Sequence, residues 1–196
     1  MIAKRIIPCL DIDSGRVVKG TRFKELRDMG DPATLARGYS DTGADEIVLL
    51  DITATHEERK FAYDVISKTA MTARVPITAG GGVRGEDDMA AYLKAGADKV
   101  AVNSAALADP SIISSCARRF GNQCVVLAID AKRAGSSWTA WVAGGRRDTG
   151  VDAVEWARRG TELGAGEILL TSMDMDGVKD GYDIALLTAG VAAVTV

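Results

Sequence analysis

The feature that most constrains the fold is an internal repeat. Gly43-Ala44-Asp45-Glu46-Ile47-Val48-Leu49-Leu50 returns as Gly164-Ala165-Gly166-Glu167-Ile168-Leu169-Leu170-Thr171, and Leu10-Asp11 falls against Ile129-Asp130. The period is about 120 residues, which this reading fills with four strand–helix units. Two such repeats make eight units, the number that closes a (β/α)₈ TIM barrel of ~250 residues. The chain has 196 residues, and Thr195-Val196 correspond in the repeat to Arg74-Val75. The expectation is therefore a single α/β domain over 1–196 with about six β/α units and strands seven and eight absent. Its first half-barrel repeat spans about 1–121 and a partial second about 122–196.

The local pattern agrees with that count. Short apolar runs are expected as strands at Arg5–Ile12, Glu46–Asp51, Val75–Ala79, Asp98–Val102, Cys124–Asp130 and Glu167–Thr171. Near-continuous apolar strands alternating with amphipathic helices mean a parallel sheet buried on both faces. Asp31-Pro32 predicts a helix start by the N-cap and first-turn proline rule, and Asp109-Pro110 predicts another. Residues 17–31, with Lys19, Arg22, Lys24 and Arg27, read as a long basic loop, either a mobile functional loop or solvated surface. Ser136–Thr149, with Trp138 and Trp141, reads as a small hairpin inserted after the fifth strand, its tryptophans packing residues.

Bulk properties exclude several classes. A net charge of −3 with both signs interspersed gives no footprint for nucleic acid or an anionic membrane. No apolar run approaches the ~18 residues of a membrane span, so a cytosolic protein is expected. Cys9, Cys116 and Cys124 lack CxxC spacing and read as reduced thiols, and His56, the sole histidine, is a poor metal ligand by itself. No cluster of metal ligands is read from these residues.

Candidate chemistry gathers where strands end. Asp11 and Asp130 close the first strands of the two repeats, and paired carboxylates at one barrel mouth can divide acid and base roles. Asp51, Thr171, Ser172, Asp174 and Asp176 crowd the ends of the second and sixth strands, and Lys19 could close over an anion. The stretch Thr78-Ala79-Gly80-Gly81-Gly82-Val83-Arg84 is a strand feeding a glycine turn, which serves either as a tight turn or as a cradle of N–H groups for phosphate. Asn103 and Ser104, after the fourth strand, could complete that cradle. At the opposite strand ends, Arg5, Glu46, Lys99 and Glu167 pair two bases with two acids, the usual composition of a barrel plug.

Six ordered motifs, at 6–20, 49–55, 78–84, 96–106, 128–133 and 164–183, closely resemble the cyclase subunit of imidazole glycerol phosphate synthase. The resemblance implies a (β/α)₈ enzyme that receives ammonia from a glutaminase partner in a heterodimer. It would convert a bisphosphorylated ribulosyl aminoimidazole carboxamide into imidazole glycerol phosphate, for histidine synthesis, and an aminoimidazole carboxamide ribotide. It implies that Asp11 and Asp130 are the acid/base pair and that Lys19 and Asp176 hold substrate, beside Thr171, Ser172 and Asp51. It further implies phosphate binding by Gly81, Gly82, Asn103 and Ser104, and an ammonia gate of Arg5, Glu46, Lys99 and Glu167, with Asp98 at the partner interface. The resemblance implies no metal and no organic cofactor. The second phosphate loop of that family belongs to strands seven and eight. Two alternatives stand beside this reading: a catalytically impaired fragment that only docks the glutaminase, and the related phosphoribosyl isomerase of the same pathway.

Overall fold

The computed structural model describes residues 4–21, 24–53 and 59–196; Arg22 and His56 lie outside them. Contacts divide the described chain into two compact units. The first comprises residues up to 19, 27–83 and 87–100; the second comprises 20–26, 84–86 and 101–196.

In the first unit, strand β1 (Cys9–Asp13) pairs antiparallel with residues 16–18 of β2 (Arg16–Thr21); β3 (Lys24–Gly30) lies beside β2. On its other side β1 pairs parallel with β4 (Ile47–Asp51), which pairs parallel with β5 (Ile77–Gly80). Strand β6 (Lys99–Val102) starts beside β5, where the Asp98 N–H donates to the Ile77 carbonyl at 2.8 Å and the Asp98 carboxylate accepts the Ile77 N–H at 2.8 Å. Helices α1 (Pro32–Asp41) and α2 (Arg59–Thr72) pack on each other, and α3 (Glu86–Lys94) follows β5. All four β5 residues are buried, as are Leu10, Ile12, Ile47, Val48 and Leu49, which is the two-sided burial a parallel sheet requires.

In the second unit, strands β7 (Val125–Ala134), β8 (Ser137–Val142) and β9 (Arg147–Asp152) form an antiparallel meander, and β10 (Glu167–Ser172) pairs parallel with β7. Its helices are α4 (Ser104–Ala108), α5 (Ser111–Phe120), α6 (Ala153–Glu162) and α7 (Ile184–Ala193), with α6 packed on α7. Val125 to Ile129 are buried without interruption, and Trp138, Ala140 and Val142 bury alternate positions of β8. The chain is thus α/β with parallel strand pairs in both units. Among the described residues no helix is long and apolar enough to cross a membrane.

The repeat survives down to single hydrogen bonds. Asp31 caps α1 by accepting the Thr34 N–H, and Asp152 caps α6 by accepting those of Val154 and Glu155. Both helices end in a glycine with φ near the left-handed region, Gly43 at 97° and Gly164 at 110°. The following alanine N–H then reaches back into the helix at 3.0 Å in each case, from Ala44 to Tyr39 and from Ala165 to Gly160. Beyond the parallel pairs, the Ile52 N–H donates to the Ile12 carbonyl at 3.0 Å, and the Met173 N–H donates to that of Ala131 at 2.9 Å.

Three readings change. Residues 17–31 are not a loop: β2 and β3 occupy most of them, held together by a two-toothed Arg16–Asp28 ion pair at 3.1 Å. Buried Val17 and Val18 are adjacent, between exposed Arg16 and Lys19, so β2 carries no alternating period to be read from the sequence. The insertion after the fifth strand is larger than a hairpin at 136–149, because β7 runs on to Ala134 and β9 to Asp152. Both repeats therefore follow their first strand with an antiparallel excursion. Helices α4 and α7 were also not anticipated; α7 carries an apolar run without polar alternation.

The two capping aspartates make a prediction. The Thr34 backbone and hydroxyl bonds hold Asp31 below the ordinary carboxylate value. Burial alone would push Asp152 up, but bonds from Ser137, Glu155 and Val154 together outweigh it and hold this carboxyl low as well. A depressed folded value means the cap contribution is complete above about pH 4 and is lost as pH falls through the folded values. Asp31→Ala and Asp152→Ala are each expected to cost about 1 kcal/mol at neutral pH in denaturant titrations. The double variant Asp31→Asn, Asp152→Asn keeps both caps and is expected to flatten the acid-side fall in stability.

Candidate functional site

The paired aspartates occupy equivalent positions. In the first unit Asp11 stands opposite Leu50 in the parallel register and opposite Val18 in the antiparallel one. In the second unit Asp130 stands opposite Thr171 and opposite Trp141. Each carboxylate is half-buried at the point where a parallel pair gives way to an antiparallel excursion. Asn103 Nδ2 donates to Asp130 Oδ2 at 3.0 Å and so fixes the orientation of that carboxylate. Asn103 Oδ1 is buried with no hydrogen-bond partner among the described residues, an acceptor turned inward beside Asp130. Ser104 opens α4 and its hydroxyl oxygen accepts the Ala143 N–H at 3.2 Å, which ties the β8–β9 turn to the residue after Asn103.

The glycine turn belongs to the first unit. Gly81 and Gly82 have φ of 116° and 64°, conformations that side-chain-bearing residues rarely adopt. Gly81 is demanded twice over, because a Cβ there would lie 2.3 Å from the Asp51 carbonyl oxygen. Its own carbonyl accepts the Tyr92 hydroxyl at 2.6 Å. Asp51 in turn accepts the Thr53 N–H and hydroxyl at 2.9 and 3.0 Å, and with Ile12, Ser14, Gly15, Thr53, Ala62 and Val65 it lines a cavity of about 170 Å³. Lys19 is exposed on β2.

Glu46 is a buried charge of the first unit. It is 2 % exposed, and Arg5 and Lys99 both donate to its Oε2, at 2.9 and 2.8 Å. The hydroxyl of buried Thr78 donates to Oε1 at 2.5 Å. Three donors on one carboxylate meet the requirement that a buried charge be paired and hydrogen-bonded. Three of the four residues expected at the strand starts thus converge; Glu167 opens β10 in the second unit. Thr78 was missed as a member of this cluster, although a polar residue inside a fully apolar strand is a visible signal. Asp98 is exposed, with its carboxylate on the Ile77 N–H.

In the second unit Thr171 and Ser172 end β10, and Asp174 and Asp176 follow in the turn. Asp174 accepts the Arg133 N–H at 2.8 Å. The tryptophans of β8 pack as expected, Trp138 beneath the Arg133 guanidinium and Trp141 beneath the Lys132 ammonium. Cys9, Cys116 and Cys124 form no disulfide among the described residues, and burial pushes the Cys116 thiol up. Among the described residues no three His, Cys, Asp or Glu side chains are grouped so as to hold a metal ion.

The model of the family described as "Histidine biosynthesis protein" matches residues 5–196. The chain belongs to this family. It is 57 % identical, over all 196 residues and 78 % of the relative's length, to the imidazole glycerol phosphate synthase subunit HisF of Hyphomonas neptunium. It is 58 % identical over 187 residues to the subunit of that name from Alkaliphilus metalliredigens, covering 95 % of this chain and 74 % of the relative. For that of Bacillus cereus strain Q1 the identity is 59 % over the same shares.

Within this histidine biosynthesis protein, the Glu46 cluster predicts unequal costs for its two cations. Lys99 is 16 % exposed and Arg5 52 %. Lys99→Met is expected to destabilise by about 3 kcal/mol, since it strips a buried carboxylate of its better-shielded partner. Arg5→Met is expected to cost under about 1 kcal/mol, because the half-exposed guanidinium is screened by water and Lys99 and Thr78 still serve the carboxylate. Urea unfolding of both variants measures the difference.

Proposed function

We propose that this protein is the cyclase subunit of imidazole glycerol phosphate synthase. It takes ammonia from a glutaminase subunit and converts the bisphosphorylated ribulosyl aminoimidazole carboxamide into imidazole glycerol phosphate and aminoimidazole carboxamide ribotide. The observation that carries this reading is 57 % identity along the entire chain to an imidazole glycerol phosphate synthase subunit HisF. The fold we assign is a (β/α)₈ barrel of two half-barrel repeats forming one domain. Residues 1–196 supply about six of its units, the first half-repeat ending near 121, and strands seven and eight are not among them.

Asp11 and Asp130 act as the acid/base pair. One carboxylate takes a proton as ammonia becomes a bond-forming nitrogen, and the other carboxyl delivers one to the leaving group. The equivalent register of the two residues supports this division, and the Asn103 amide orients one member of the pair. Gly81, Gly82, Asn103 and Ser104 bind one substrate phosphate, where backbone N–H groups at positive φ can turn toward an anion. Lys19 and Asp176 hold the substrate, with Asp51, Thr171 and Ser172 beside it. Arg5, Glu46, Lys99 and Glu167 gate ammonia, and Asp98 contacts the glutaminase.

Formation of imidazole glycerol phosphate from ammonium salt and the bisphosphorylated substrate tests the reading. Asp11→Asn and Asp130→Asn are each expected to lower the rate by about 10²–10⁴. Turnover that survives both substitutions together sinks the assignment. The interface is tested with Asp98→Asn, which keeps an oxygen on the Ile77 N–H while removing the charge. A complex with the glutaminase weakened about tenfold is the expected result. Unchanged affinity removes Asp98 from the interface.

A further inference from the structure

One carboxylate in the second unit joins three elements. Asp183, half-buried at the start of α7, accepts the Leu186 N–H on Oδ1 at 3.0 Å. Its Oδ2 accepts the indole N–H of Trp138, on β8, at 3.3 Å and the hydroxyl of Ser172, at the end of β10, at 3.2 Å. Trp138 is itself held from the other side by the Arg133 guanidinium, 4.5 Å from its ring centre. Ser172 and Asp183 bracket the connection 173–182, so their bond closes that connection at its base like the neck of an Ω-loop.

The closure reaches Asp176 through a short path. The Asp176 N–H donates to the Ser172 carbonyl at 2.9 Å, and the Met175 N–H to the same carbonyl at 3.1 Å. The residue whose side chain is clasped by Asp183 is therefore the residue whose backbone anchors the Asp176 turn. The near end of the stretch is also tied to β7, by the Met173 N–H on the Ala131 carbonyl and by the Arg133 N–H on the Asp174 carboxylate; beyond Asp176, Gly177, Lys179 and Gly181 all have positive φ and residues 179–182 are exposed.

We propose that Asp183 is a positioning residue that clasps the 173–182 connection and thereby sets where Asp176 is presented to substrate. The substrate role of Asp176 rests on the cyclase reading; the clasp does not. This also gives Ser172 a different task from the one its strand-end position suggests, because its hydroxyl proton is committed to Asp183 rather than to a ligand.

Ser172→Ala and Asp183→Asn are the informative variants. Ser172→Ala removes the clasping hydroxyl outright, while in Asp183→Asn the side-chain oxygen can still cap α7 but the amide nitrogen meets the Trp138 indole N–H donor to donor and can hold Ser172 only by donating back to its hydroxyl oxygen. Amide hydrogen exchange at Asp176 is expected to quicken about tenfold in Ser172→Ala and by no more than that in Asp183→Asn. The double variant should be no faster than Ser172→Ala, because that variant already lacks the bond. Unchanged exchange in Ser172→Ala, or a double variant faster than Ser172→Ala, overturns the clasp. In the ammonium-dependent assay, Asp183→Asn is expected to raise KM for the bisphosphorylated substrate about tenfold and to change kcat less. A turning-over wild type with an Asp183→Asn variant of the same KM and kcat overturns the positioning role. A wild type without turnover fails the cyclase reading instead, and the exchange rates then decide the clasp by themselves.

Discussion

Everything proposed for this protein depends on strand register. Side chains along a strand alternate between faces, so a slip of one residue in the β1–β4 pair would move Asp11 to the opposite side of the sheet and expose Leu10 and Ile12. The same holds for Asp130 between buried Ile129 and Ala131. The burial of those apolar neighbours therefore supplies the energy that locates each carboxylate. The carboxylates are carried by that register. A hydrophobic sheet thus sets the placement of polar groups that would be costly to place by their own interactions.

Much of this was legible in the chain. The 121-residue spacing of Gly43 and Gly164, and the capping aspartates at the same spacing, are local chemistry that each repeat must satisfy separately, so sequence similarity and hydrogen-bond similarity coincide. The parallel strands were readable because burial on both faces forces an apolar run. What was not readable depends on partners distant in sequence. The β2–β3 excursion looks like a basic loop because its polar residues face outward and Arg16 finds Asp28 only after folding. Thr78 and Asp183 gain their meaning from Glu46 and from Trp138 and Ser172, pairings that no spacing rule encodes.

The glycine turn shows how one residue type can answer to two demands. A run of three glycines after a strand suggests backbone laid open to a ligand. Gly82 fits that description, being exposed with a positive φ. Gly81 is a glycine for a reason internal to the protein, since the Asp51 backbone fills the space where its side chain would go.

The strand β8 has an unequal influence on the second unit. Its first two residues face opposite ways, and each holds a helix start: Ser137 donates to Asp152, the cap of α6, and Trp138 to Asp183, the cap of α7. A strand that adds no catalytic group thereby acts as a spacer between two helix N-termini. Insertions or deletions between Ala134 and Ser137 would shift both helices together. The β8–β9 turn bears on neither helix start; a change of length there would instead pull on the Ser104 hydroxyl that holds the Ala143 N–H.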